Sequence, residues 1–164
     1  MTILKWLVGL LVAVAVLIAL VFGGARFADG PLALVPGGPL QSGELRATPA
    51  DWSFAADVEE IEFESGGRSR TVWIVADGGD GFIPASALFP PMKTWHKEAL
   101  TEPAAMVRID GVRYPINLRR IQPDSPRFGV VLQRLQAKYT LPPGSEDVDP
   151  AEAVWVFALD ARAL

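Results

Sequence analysis

Residues 60–86 read EIEFESGGRSRTVWIVADGGDGFIPAS, and the order of runs and breakers in this stretch decides the fold. Glu60, Glu62 and Glu64 alternate with Ile61 and Phe63. A period of two with one polar face predicts a half-buried strand. Residues 70–76, RTVWIVA, are rich in β-branched and aromatic side chains and predict a second strand. Ser65-Gly66-Gly67 joins the two. Asp77-Gly78-Gly79-Asp80-Gly81 predicts a turn, and residues 81–86 return as a third strand. Pro84 has no N–H to give to a ladder, which places that strand at an edge or a bulge.

Toward the C-terminus, residues 92–101 predict a short helix, and Pro103 precedes a strand over 105–109. Asp110-Gly111 is a two-residue hairpin signal, because both positions accept positive φ. The next strand sets Val112, Tyr114, Ile116 and Leu118 against Arg113, Pro115, Asn117 and Arg119. Ser125 can cap a helix with Pro126 at its first position. Phe128, Val131, Leu135 and Tyr139 give that helix one apolar stripe, and Pro142-Pro143-Gly144 stops it. An acidic loop (Glu146, Asp147, Asp149, Glu152) leads to a last strand over 153–159. Residues 52–164 thus predict a mainly β (α+β) domain of six antiparallel strands and two or so helices. Closing the sheet into a small barrel would hide its edges.

Toward the N-terminus, residues 29–51 are rich in Gly and Pro and predict a linker, with Leu32, Leu34, Val35 and Leu40 along the domain surface. Of the first 28 residues, 22 are apolar, and residues 6–25 carry no charge. A helix of about 20 residues spans a hydrocarbon core of about 30 Å. Residues 1–28 therefore predict a single-pass anchor in a bacterial inner membrane, N-terminus inside and domain on the extracytoplasmic side. The alternative is a cleaved signal sequence, for which Gly23-Gly24-Ala25 offers small residues, although the apolar run exceeds the usual signal core.

Lys5 and Arg26 are the only charged side chains before Asp29, so the remainder holds 13 basic against 19 acidic residues, a net of −6. That balance argues against a nucleic-acid partner. The absence of cysteine excludes disulfides, thiolate catalysis and Cys-based metal sites. His96 is the single histidine, which excludes His-rich metal centres, and by itself it reads as a helix-surface residue. Asp77 and Asp80 fail calcium-loop spacing and read as a hairpin turn, so no metal site is expected. The Glu60, Glu62 and Glu64 row reads as a solvated face, balanced across the sheet by Arg108, Arg113, Arg119 and Arg120. No Ser-His-Asp arrangement, phosphate-binding loop or dinucleotide fingerprint is present, and catalytic residues are not assigned.

RTVWIVA at 70–76, Trp95 through Pro103, and AAMVRIDGVRYPINLRRI at 104–121 resemble the flavin-nucleotide-binding split-barrel superfamily of the pyridoxamine-phosphate-oxidase type. The spacing of Trp95, Pro103 and Asp110-Gly111 is most similar to its deazaflavin-dependent nitroreductase branch. PADWSF at 49–54 and the glutamate-alternating strand that follows resemble membrane-anchored bacterial members. The resemblance implies a split β-barrel, FMN or a deazaflavin as cofactor, oxidoreductase chemistry on a small or lipophilic substrate, and a homodimer. Carried over by position, the implied cofactor-binding residues are Arg70, Thr71, Ser86, Lys93 and Trp95. Glu98-Ala99 and Glu102 replace the branch's Asn-Leu and Asn, and residues 87–95 replace its glycine loop with a proline-rich one. These departures hold a second reading open, a non-catalytic membrane-anchored binding module with no cofactor.

Overall fold

A computed structural model describes residues 2–33, 35–88, 93–140 and 148–164. A helix, α1 (Thr2–Ala25), precedes β1 (Glu44–Leu45), a 3-10 turn (Ser53–Ala55), β2 (Glu60–Ser65), β3 (Arg68–Trp73), β4 (Val75–Asp77) and β5 (Asp80–Ser86). Then come α2 (Trp95–Glu98), β6 (Ala104–Ile109), β7 (Val112–Ile121), α3 (Pro126–Lys138), α4 (Pro150–Ala153) and β8 (Val154–Ala161). Leu4–Ala25 is long and apolar enough to cross a membrane, with mean hydropathy 2.9. The expected helix stop at 142–144, part of the acidic loop, Leu34 and residues 89–92 lie outside the described residues.

The strands form one antiparallel sheet in the order β3-β2-β6-β7-β8-β5-β4, with β1 added in parallel to β7. The two ends of this order are consecutive in the chain. β3 pairs with β2 and β4 pairs with β5, and only Ile74 separates them. The sheet therefore curls until one bent segment serves both of its ends. Three two-residue hairpins set the register, with positive φ at Gly66-Gly67, Gly78-Gly79 and Asp110-Gly111.

Eight strands stand where six were expected. The run at 70–76 becomes two strands because Ile74 leaves the ladder. Its N–H donates to the Tyr139 hydroxyl at 3.2 Å, and its carbonyl accepts from that hydroxyl at 2.8 Å and from Lys138 Nζ at 3.0 Å. Tyr139 also stacks on Trp73, with ring centroids 4.4 Å apart. The end of α3 thus satisfies the polar groups that a bend exposes. Pro84 sits past the last β4 partner of β5, where that side of the strand needs no donor. The expected helix over 92–101 contracts, among the described residues, to α2, after which the Leu100 and Thr101 amides close tighter three-residue turns.

Two apolar clusters result. Phe63, Ile83, Trp95, Val107, Ile116 and Phe157 fill the inside of the curl. Val75, Phe82, Val156 and Ala158 face outward under Phe128, Val131 and Leu135 of α3. β8 is buried on both faces, which explains its unbroken apolar run.

The stretch after α1 lies strapped against the sheet. Gly37 and Ser69 exchange backbone hydrogen bonds, and a Cβ on Gly37 would fall 1.8 Å from the Gly30 carbonyl oxygen. Leu40 is buried, and its N–H donates to the Glu64 carboxylate at 2.8 Å. Arg108, 9% exposed, pairs with Glu62 and with Asp29 at 3.0 Å, and also donates to Ser42. Of the four arginines expected to balance the glutamate row, only Arg108 does so. Arg113 donates to the Leu40 and Gly43 carbonyls, Arg119 pairs with Asp160, and Arg120 stacks on Trp155.

Tyr139→Phe keeps the stack on Trp73 and removes the hydroxyl at the bend. Urea unfolding is expected to show a loss of about 1–3 kcal/mol, the cost of leaving buried backbone groups unpaired. The strap carries a second expectation. The Ser42 hydroxyl, the Gln41 and Ser42 amides and Arg108 hold the Asp29 carboxyl well below the ordinary carboxylate range. A lowered folded-state value contributes stability that is complete above the unfolded value and lost as pH falls through the folded one. Proteolytic nicking of residues 29–43 is therefore expected to rise only below about pH 4 in the wild type. In Arg108→Met it is expected at neutral pH.

Candidate functional site

Strand parity determines which side chains reach the inside of the curl. Arg70 faces Phe63 across β2 and β3, and Arg120 faces Phe157 across β7 and β8. Both partners lie in the inner cluster, so both arginines stand on the inward face. In β7 the inward set Tyr114, Ile116 and Leu118 runs on directly to Arg120.

α2 brings further groups beside them. Trp95 is 4% exposed and packs on Phe63 at 4.8 Å and Phe157 at 5.6 Å between centroids. The Arg70 guanidinium lies 5.7 Å from the Phe63 and Trp95 ring centres. It donates to Ser65 Oγ at 3.3 Å and to the Arg68 carbonyl at 3.4 Å. The Arg120 guanidinium sits 3.6 Å from the Trp155 centroid, and its Nε is buried without a partner. Among the described residues, neither arginine has a carboxylate at ion-pair distance.

His96 is 2% exposed, not on the surface as expected, and neither ring nitrogen has a hydrogen-bond partner. It meets Trp155 edge-on at 4.9 Å. Burial, then the charges of Lys93, Lys97 and Arg120, lower its pKa, and Glu98 opposes them. Burial lowers Lys93 to about 8, with Arg70 adding repulsion. Burial likewise lowers Arg70 to about 10, against the pull of Glu98 and with the push of Arg68. These shifts share one physical origin. Burial disfavours the charged form of each, and the neighbouring cations add to it.

Of the residues implied by resemblance, the fold brings Arg70, Lys93 and Trp95 together. Thr71 pairs with Glu62 on the outer face and is exposed. Ser86 ends β5 on the parity of Phe82, which also faces outward. Sequence reading missed Arg120, His96 and Trp155 as members of the cluster. The available signal was parity, since a charged residue that continues the apolar set of a strand points where the apolar residues point.

A surface cleft of about 330 Å³ lies elsewhere, among Leu45, Met106, Pro115, Arg162, Ala163 and Leu164. Its lining is apolar apart from Arg162, with no convergence of polar groups to orient a ligand. Among the described residues no cluster of acidic or histidine side chains could hold a metal ion.

No family model matches this sequence, and no curated protein matches it. Among solved structures, the chain is similar to one assigned as a pyridoxamine 5'-phosphate oxidase from Listeria innocua. The two share 10% identity with a TM-score of 0.40, over 64% of this chain and 85% of the other.

Replacing His96 tests the dryness of the cluster. A depressed histidine contributes stability that is present above its unfolded value near 6.5 and is lost as pH falls. His96→Leu is expected to keep neutral-pH stability within about 1 kcal/mol, because no hydrogen bond is forfeited. It is expected to flatten the fall in urea midpoint below pH 6.5 that is expected of the wild type.

Proposed function

We propose that this chain is a membrane-tethered split-barrel protein that binds a phosphate-bearing nucleotide of the flavin type beside α2. The observation that carries this reading is the inward placement of Arg70 and Arg120, with Lys93 close to Arg70 and with a buried His96 whose ring nitrogens have no partner, in a domain (residues 52–164) of net charge −4. Cations that repel one another in a dry place are stabilised by a bound anion, and guanidinium groups suit phosphate oxygens. The donor set fits the phosphate of FMN or a deazaflavin. Arg70 and Lys93 would hold it, with Arg120 and His96 beside them. The ring of such a nucleotide, when bound, supplies hydride or electron transfer to a small or lipophilic substrate. The residues of this chain neutralise and orient the phosphate and exclude water with Trp155 and Phe157. α1 tethers the barrel to the inner membrane, with the site on the extracytoplasmic side, and a second copy covers the ring.

One observation favours the rival reading of a non-catalytic module. Trp95 is enclosed between Phe63 and Phe157, so it offers no open face on which a flavin ring could stack. On that reading the same cluster takes a phosphate or another compact anion alone.

Titration calorimetry and tryptophan fluorescence of the full chain in detergent separate the two. On the first reading, FMN or a deazaflavin nucleotide binds at least about tenfold more tightly than inorganic phosphate; on the second, they bind alike. Arg70→Met and Lys93→Met are each expected to weaken binding about tenfold or more, the worth of a charge-assisted hydrogen bond. Affinity is expected to fall as pH rises through about 8, where Lys93 loses its proton. No binding of any of these anions would overturn both readings.

A further inference from the structure

The chain leaves α1 at Ala25, makes a short excursion and returns to the same place. The Gly38 N–H donates to the Ala28 carbonyl at 3.0 Å, and a Cβ on Gly38 would fall 2.4 Å from the Arg26 carbonyl oxygen. Gly30 and Gly37 form the neck of this loop, touching backbone to backbone. Inside it Leu32 and Val35 exchange both backbone hydrogen bonds, at 3.0 and 2.9 Å. The Leu32 and Val35 backbone groups therefore need no water to satisfy them. Four residues out from the neck reach at most about 13 Å, so the turn stays beside the end of α1.

Its side chains are those of an interface. Leu32 is 51% exposed, and Phe27, just past the helix, is 91% exposed. Residues 30–43 contain no charged side chain. The two charges between helix and turn are accounted for: Asp29 is paired with Arg108, and Arg26 is exposed, with a long stem that can reach headgroups. The strap on β2, β6 and β7 fixes the turn relative to the barrel.

We propose that the turn closed by Leu32 and Val35, with Phe27, is a second membrane contact that seats in the headgroup and acyl boundary beside α1. The occupant of this apolar surface is the lipid bilayer, because the surface is continuous with the spanning helix. The barrel is then held at a set height and tilt, clamped at two points. This inference rests on the reading of α1 as a membrane span.

The chain has no cysteine, so single cysteines can carry an environment-sensitive fluorophore. The full chain is reconstituted in phosphatidylcholine and phosphatidylglycerol vesicles, with and without doxyl-labelled phosphatidylcholine. Labels sit at Leu32→Cys, at Ala33→Cys on the same turn, at Val14→Cys within α1, and at Val130→Cys. Val130 is exposed on α3, which packs on β4, across the barrel from the strap. Expected are loss of about half the emission to doxyl lipid at positions 14, 32 and 33, shielding from iodide there, and neither effect at 130. Labels at 32 and 33 that behave like 130 while 14 is quenched would overturn the second contact and leave the span intact. A label at 14 that escapes the lipid quencher would overturn the span and this inference together. Equal quenching at 130 would also overturn it, since the whole barrel would then lie in lipid.

Discussion

The fold depends on a bend at one residue. Ile74 gives its N–H and carbonyl to side chains at the end of α3 instead of to a neighbouring strand, and this lets one stretch pair with β2 before the bend and β5 after it. A straight strand here would leave two open sheet edges, each a row of unpaired donors and acceptors. The bend brings the two ends of the strand order together on one stretch of chain, which shortens the unpaired edge left at each. It works because Tyr139 and Lys138 close α3 where its axis meets the sheet, and because Phe128, Val131 and Leu135 press α3 onto the outside of β5 and β8.

From this closure the site follows. The curl brings Arg70, near one end of the strand order, close to α2, which is wedged between Phe63 of β2 and Phe157 of β8 by Trp95. Trp95 thus does structural work, and the cations collect around it. Arg120 reaches the same region from β7 because its parity matches the inner apolar set. The cost of crowding charge in a poorly solvated place is visible in the lowered pKa values of Lys93, Arg70 and His96, each with burial as its leading cause. Buried groups with shifted pKa values are what a binding site and a structural charge cluster have in common, and this shared feature is the basis of the proposed anion site.

Most of the strand plan was legible in the sequence, because it is written in local chemistry. Ser65-Gly66-Gly67, Asp77-Gly78-Gly79 and Asp110-Gly111 are turns by their own conformational freedom, and Ser125-Pro126 starts a helix by its own capping. What was not legible depends on partners distant in the chain. Nothing near Ile74 announces the bend, since its cause is Tyr139. Nothing in the run of Gly and Pro after α1 announces a strap, since its anchor is Arg108 on β6. For the site, Arg70, Lys93 and Trp95 were reached through resemblance, whereas His96 read as a helix-surface residue because the sequence places no acidic partner beside it. Its burial comes from Trp155, 59 residues away. Thr71 shows the limit of carrying sites over by adjacency, because in a strand neighbouring residues point to opposite faces.

Closure at Ile74 is tested most directly by nuclear magnetic resonance of the isotope-labelled full chain in detergent. Cross-strand contacts that link Thr71 with Glu62 and Val75 with Phe82 are expected together in one sample, with the Ile74 amide protected from hydrogen exchange. Observation of only one of these pairings, with a freely exchanging Ile74 amide, would show an open sheet and contradict the bent strand on which barrel and site depend.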